Sequence, residues 1–340
     1  MDNHPKGFFM DTNIDRRGFI RVLGLGTAAA LTGCMTGSTG KSADAGAGLT
    51  KATAVNHMAY AVADYARMRD FYVELFSMRI AWDDGTKCSI EFGDPAKPDA
   101  FYLVAAKPGE KAYINHIGYS IDDFMAHKTS IEAELKRRNL KFHADTEQGW
   151  TLEDPSGYTI HFISEKGIFP GAAAPCAVMA SAECRAADAA GLKNLARGAK
   201  PSGAAFKAVA FSHIVQCVRD IDETSAFYKQ MFGMRLVYEK RASPDAQTML
   251  RFGNNTLILM NSRRADRSPY IDHFAFEVEG YDQARVEAEL KRRGYKPQSE
   301  SKLAWSLQDP EGMRIDITGR GWPEYIGKYC NGSPTECPRG

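Results

Sequence analysis

Apolar and polar positions follow two alternating periods along this chain, and the periods succeed one another in a fixed order. Residues 55 to 62 form a short apolar run of strand length, after which Tyr65, Met68, Phe71, Tyr72, Leu75 and Phe76 recur at helical spacing within residues 64 to 77. Three short strand-like runs follow up to Ala106, which gives the order βαβββ. The order then recurs, with Ile114 to Ile121 as a strand, Phe124 to Asn139 as a helix, and further strands ending in Tyr158 to Ser164. Two such motifs are predicted over residues 53 to 165.

At an offset near 156 residues the chain matches itself, so the same organisation is predicted over residues 207 to 319. Phe71-Tyr72 pairs with Phe227-Tyr228, Met78-Arg79 with Met234-Arg235, and Phe92-Gly93 with Phe252-Gly253. Glu132 to Arg138 is identical to Glu287 to Arg293, Trp150 matches Trp305, and Asp154-Pro155-Ser156-Gly157 matches Asp309-Pro310-Glu311-Gly312. Four βαβββ motifs result, which places the chain in the α+β class. Residues 166 to 206 between the units are rich in Ala, Gly and Pro and lack alternation; they read as a linker with one short helix near Ala186 to Ala196. Residues 320 to 340 remain as a C-terminal tail.

The first residues have a different character. Arg16-Arg17 precedes an uncharged run from Val22 to Gly33, a pattern similar to a twin-arginine export signal. As a helix of 12 residues this run reaches about 18 Å against a bilayer core of roughly 30 Å, too short for a stable span. Leu31-Thr32-Gly33-Cys34 resembles a bacterial lipobox. The expectation is a signal over residues 1 to 33, passage through the Tat export machinery, lipidation at Cys34, a flexible tether over residues 34 to 52, and a periplasmic or membrane-anchored protein. In that oxidising setting Cys176 with Cys184, and Cys330 with Cys337, are candidate short-range disulfides, while Cys88 and Cys217 sit in apolar runs as buried thiols.

Charge narrows the partners. Lys plus Arg number 43 against 42 Asp plus Glu, with no long basic run, which argues against nucleic acid and leaves a small molecule as the expected ligand.

Five of the eight histidines fall at matched places in the two units: His57, His116 and His161 in the first, His213 and His273 in the second, where Asp316 takes the sixth place. The spacings are 59 and 45 residues in one set and 60 and 43 in the other, so one architecture builds both. His127 and His143 lack counterparts and are expected at the surface. Strand alternation puts Arg314 on the face of Asp316 and Glu277 on the face of His273, as candidates for holding an anionic substrate and orienting a ligand.

With these residues in place, the chain resembles a pair of vicinal oxygen chelate domains, the superfamily of glyoxalases, bleomycin-resistance proteins and extradiol dioxygenases. The resemblance implies two cup-shaped mixed sheets, with metal ligands on the first strand of each motif and on the last strand. Those are the positions of the two sets. The family reads Asp-Pro-x-Gly-x-x-aliphatic-Glu in the last strand; here the ligand position holds His161 and Asp316. Two imidazoles and a carboxylate match the facial triad of non-haem iron, which favours Fe(II) in the second unit, with Mn(II) or Zn(II) as alternatives. Three imidazoles suit zinc, iron or copper in the first.

The resemblance leaves three classes of function open. Glyoxalase-like isomerases, lyases or epimerases usually draw a fourth ligand from the last strand of the first motif, where this chain has Phe101 to Val104 and Leu257 to Met260. Extradiol dioxygenases use a Tyr ten residues before the last ligand, where this chain has Thr151 and Ser306. The leading expectation is a metal-dependent, dioxygenase-like enzyme that holds a small substrate through vicinal oxygens. A non-catalytic binding protein of the bleomycin-resistance kind is the third.

Overall fold

The computed structural model describes residues 48–146, 149–164, 203–241, 246–261 and 269–332. The expected signal, Cys34, the short linker helix and the side chains of both cysteine pairs lie outside the described residues.

The first unit runs β1 (Lys51–Val62), α1 (Tyr65–Phe76), β2 (Arg79–Asp83), β3 (Lys87–Asp94), β4 (Lys97–Ala105), β5 (Tyr113–Asp122), α2 (Phe124–Arg137), β6 (Phe142–Thr146), β7 (Gly149–Glu153) and β8 (Thr159–Ser164). The second repeats it as β9 (Ala208–Val218), α3 (Ile221–Phe232), β10 (Arg235–Lys240), β11 (Gln247–Phe252), β12 (Asn255–Asn261), β13 (Tyr270–Val278), α4 (Gln283–Arg292), β14 (Gln298–Ser301), β15 (Ala304–Gln308) and β16 (Arg314–Thr318). Each βαβββ motif appears as the periodicity predicts. The tail carries a further helix, α5 (Trp322–Gly332), which the repeat does not foretell.

Each unit forms one eight-stranded mixed sheet, ordered β2-β3-β4-β1-β5-β8-β7-β6 and β10-β11-β12-β9-β13-β16-β15-β14. The first strands of the two motifs pair antiparallel at the centre, each flanked by the last strand of its own motif in parallel. This topology sets the three expected ligand strands of each unit side by side. Three of the helices start at an Asp whose carboxylate accepts a backbone N–H of the first turn: Asp64 from Arg67, Asp220 from Glu223 and Asp282 from Arg285.

One face of both sheets is packed into a single apolar core that draws Phe76, Phe101, Phe162, Phe211, Phe232 and Phe276 from the two units alike. Trp150 and Trp305 belong to it, so both are core aromatics. The contact between the units obeys a pseudo-twofold. Leu49 and Thr50 donate their backbone N–H groups to Gln230 and Met231 at the end of α3, and Ala205 and Phe206 donate theirs to Glu74 and Leu75 at the end of α1. The turn glycines Gly93 and Gly253, both with positive φ, meet the backbone of Val209 and Thr53, where a Cβ would lie 2.8 and 1.8 Å from the carbonyl oxygens. That approach explains why Phe-Gly recurs in both units.

The Asp-Pro-x-Gly turns complete the exchange. Asp309 accepts the hydroxyls of Tyr60 and Tyr72 at 2.9 and 3.0 Å, and Asp154 accepts Gln216 Nε2 and the Tyr228 hydroxyl at 2.7 and 3.1 Å. Each turn therefore reads the opposite unit through a buried carboxyl. Burial pushes Asp309 up to about 6, against the opposing pull of its tyrosine hydrogen bonds. The folded chain then holds a proton that the unfolded chain releases between about pH 4 and 6, so this carboxyl's contribution to stability falls as pH rises through that window. Asp309→Asn is expected to gain stability relative to the parent between pH 4 and pH 7, by roughly 3 kcal/mol at most. Paired urea titrations at several pH values check it; a pH-independent difference would contradict it.

Candidate metal centres

The face of each sheet away from the common core carries the chemistry. On the first sheet His57 of β1 lies in register with Gly118 of β5, and Gly118 with His161 of β8. His116 lies two residues before Gly118 on the same face. On the second sheet His213 of β9, His273 of β13 and Asp316 of β16 hold the equivalent places. Within each set the ligand atoms lie within 4.8 Å of one another. All six residues expected from the sequence are thus brought together as two groups.

A local device orients the imidazoles. The strand registers slip at Asn56, Asn115 and Asp272, so each of these residues is a bulge immediately before a histidine. A bulge re-aims a side chain that regular alternation would send to the other face. Asn56 Oδ1 thereby accepts His57 Nδ1–H at 3.0 Å, Asn115 Oδ1 accepts His116 Nδ1–H at 2.8 Å, and Asp272 Oδ2 accepts His273 Nδ1–H at 2.9 Å. Each partner fixes the Nδ1-protonated tautomer and so puts the lone pair of its histidine on Nε2. The repeat sets Asn115-His116 against Asp272-His273, but the apolar pattern of the strands assigns neither Asn115 nor Asp272 a role.

Burial holds His57, His116 and His161 below the ordinary imidazole range, His116 at about 4, with repulsion among the rings adding to the effect on His57 and His161. The first set is therefore three neutral imidazoles, with His57 Nε2 3.2 Å from His161 Nδ1. Gly118 makes this possible: a Cβ there would lie 2.3 Å from His57 Cε1.

The second set carries charge. Burial holds His213 at about 4, while its Nε2 lies 3.4 Å from Asp316 Oδ2 and His273 Nε2 lies 3.8 Å from the same oxygen. Burial alone would raise the Asp316 carboxyl, but His273, His213 and Arg314 outweigh it and hold it well below the usual range. Arg314 spans both Asp316 oxygens at 3.1 and 3.2 Å and reaches Glu300 at 3.1 Å. Arg314 thus supports the ligand carboxylate. Glu277 lies 3.9 Å from Arg320 and does not belong to the cluster of ligand atoms. His127 is half-buried on α2, and His143 is exposed on the edge strand β6. Thr151 and Ser306 stand directly beside His161 and Asp316 in register, and the Ser306 hydroxyl donates to Glu300 at 3.0 Å.

Both donor sets suit a divalent cation: imidazoles, of which His57, His116 and His273 are oriented by an Asn or Asp partner, joined in the second set by an ionised carboxylate. Asp272→Asn is expected to weaken metal binding at the second set about 10- to 100-fold, because the carboxylate partner orients the His273 ring and fixes its tautomer. Calorimetric titration in a His57→Ala background checks this, and an unchanged affinity would remove the role given to Asp272.

A residue that sequence reading missed stands over the second set. Trp322, the first residue of α5, stacks on the His213 ring with centroids 4.0 Å apart and planes at 23°. Trp322 and Ile326 are buried against Val215, Met249, Ile258 and Tyr238. The spacing of Trp322, Tyr325 and Ile326 carried the helical signal in a stretch otherwise read as a tail.

Comparison with known proteins follows the same outline. The Glyoxalase/Bleomycin resistance protein/Dioxygenase superfamily matches residues 54–162 and 210–317. The chain belongs to this superfamily. Its two units are tandem domains of that family, each an eight-stranded mixed sheet. Among solved structures, a variant of homoprotocatechuate 2,3-dioxygenase from Brevibacterium fuscum is similar at 14% identity and a TM-score of 0.59, covering 80% of this chain and 72% of that one. The Mn(II)-bound glyoxalase from Novosphingobium aromaticivorans is similar at 15% identity and a TM-score of 0.58, covering 80% and 83%. At such identities the likeness speaks for the fold. No curated protein matches the chain. Among the described residues no helix is long and apolar enough to cross a membrane.

Proposed function

We propose that the chain is an exported, metal-dependent enzyme of the superfamily, dioxygenase-like, that takes a small substrate through vicinal oxygens at His213, His273 and Asp316. The observation that carries the proposal is the convergence of these three side chains, with ligand atoms within 4.8 Å, on one face of adjacent strands. Export and lipid anchoring at Cys34 rest on the sequence of residues 15 to 34.

In this reading Fe(II) is the favoured ion and Mn(II) or Zn(II) are alternatives, since two imidazoles and one carboxylate on one face leave positions open to substrate. The ion supplies Lewis acidity and, where it is redox-active, access to oxygen. The chain supplies the rest. Asp272 holds His273 with its Nδ1 protonated, and Arg314 keeps Asp316 ionised and fixed in place. On β12 the residues facing the cup are Thr256, Ile258 and Met260, which offer no carboxylate or imidazole as a fourth ligand. Three ligands favour the oxygenase reading over the four-ligand isomerase.

The test is oxygen uptake by the Fe(II)-loaded full chain across a panel of catechols, α-hydroxyketones and α-hydroxyacids, with Asp316→Ala as the control. Uptake with at least one class, lost in the variant, is expected. Turnover without oxygen uptake would move the assignment to an isomerase, lyase or epimerase; binding without turnover would leave a sequestering protein.

A further inference from the structure

We propose that α5 is a tethered occupant of the second cup, and that Trp322 sets an upper size limit on ligands admitted to His213, His273 and Asp316. The inference rests on the metal-site reading above and deepens it by naming the substrate class: compact vicinal-oxygen compounds, without a bulky ring.

The argument begins with one row of residues across each sheet. In the second cup the row leading away from His273 is Val215, Ile258, Met249 and Tyr238, each in register with the next. In the first cup the equivalent row from His116 is Ala59, Tyr102, Ser89 and Trp82. Ala59 and Ser89 of the first are thus replaced by the larger, apolar Val215 and Met249, and Tyr102 by the hydroxyl-free Ile258, while Trp82 gives way to Tyr238. Those apolar side chains are not left facing a cavity: Trp322 and Ile326 pack on them, at 2% and 0% exposure. Such packing is core-like and stabilises the seated helix. Glu324 adds an ion pair to Arg251 of β11 at 2.6 Å, and Lys302 lies 4.9 Å above the Tyr325 ring.

The second cup is therefore divided. Its apolar half is filled by α5, while the metal-ligating half stays polar around Asp316, Arg314 and Ser306. The boundary is the Trp322 ring on His213. Around that imidazole three buried polar atoms lack a partner: His213 Nδ1, Trp322 Nε1, and the hydroxyl of Thr256, the strand neighbour of His213. Unpaired buried polar atoms cost free energy that a small oxygen-bearing ligand or water removes. A large ring cannot do so while α5 stays seated.

The test uses two chelators with one metal-binding group and different bulk, acetohydroxamate and benzohydroxamate. The full-length His57→Ala chain is loaded with Co(II), and the visible absorption of the ion reports binding at the second set. Acetohydroxamate is expected to bind at least about tenfold more tightly than benzohydroxamate. Trp322→Ala is expected to close that gap, and Trp322→Phe, which keeps a ring on His213, to preserve it.

Hydrogen exchange over residues 322 to 332 gives a second reading that needs no variant at Trp322. Protection is expected to persist with acetohydroxamate and to be lost when benzohydroxamate is forced in at high concentration. Equal affinities for the two probes with α5 still protected would overturn the proposal, as would an unchanged gap in a cobalt-loaded Trp322→Ala chain. If the His57→Ala chain takes up no cobalt, the metal-site reading fails and this inference with it; cobalt uptake with equal affinities sinks the inference alone.

Discussion

Replacing Asp316 with alanine is expected to abolish metal binding at the second set and to lower the stability of the chain by roughly 3 kcal/mol, the order measured when one partner of a buried ion pair is removed. Asp316 is 2% exposed and shares its carboxylate among His213, His273 and Arg314. Its loss deletes the only anionic ligand of the group and leaves the Arg314 guanidinium paired with Glu300. Asp316→Asn separates the two effects. It keeps the shape and removes the charge, so metal binding falls while packing is preserved. Calorimetric titration with Mn(II) and urea denaturation read the two quantities independently. A metal affinity unchanged by Asp316→Ala would remove Asp316 from the ligand set.

Gly118→Ala is expected to dismantle the first set while sparing the second. The added methyl would lie 2.3 Å from His57 Cε1 and 2.4 Å from Nδ1, well inside contact distance. The clash is with a ring whose own Nδ1 is tied to Asn56 and whose Nε2 faces His161 at 3.2 Å. His57 has no free direction in which to retreat, being fully buried with Tyr102, His116 and His161 around it. Overpacking of this kind costs about 1–3 kcal/mol, and here it also displaces a ligand. The second unit holds Ala275 at the matching position, so the requirement for glycine belongs to the first cup alone. The expected result is the loss of one metal equivalent, read by metal analysis against His213→Ala. Retention of both equivalents in Gly118→Ala would mean that His57 is not a ligand.

The architecture and the six clustered positions were legible in the sequence for a physical reason. Strand alternation and helical spacing are periodic signals, and duplication shows each of them twice, so His57 and His213 stand out against histidines such as His143 that occur in one unit only. The orienting partners were not legible. A bulge is a single residue out of register, and neither Asn56 nor Asp272 changes the apolar pattern that defines its strand. The Asp-Pro-x-Gly turns were visible as a motif, but their carboxylates act across the contact between units, on Tyr60, Tyr72, Gln216 and Tyr228, far away in sequence. Gly118 was hidden because its role is to leave room for a ring, which only packing reveals. In α5 the helical spacing was present in Trp322, Tyr325 and Ile326, yet the stretch lies outside the repeat on which the reading rested.

Arg314 and Glu277, the two candidates from strand alternation, came to different ends. Arg314 sits on the ligand carboxylate, where its charge is committed to Asp316 and Glu300. Binding of an anionic substrate would have to compete with those partners. Glu277 leans toward Arg320.

The most direct measurement is the metal content of the full-length protein, compared among the parent, His57→Ala and His213→Ala. One equivalent of iron or manganese that persists in His57→Ala, together with the loss of one equivalent in His213→Ala, is the result expected of a working centre at His213, His273 and Asp316. Absence of metal from every preparation, or a metal content in His213→Ala equal to that of the parent, would contradict it.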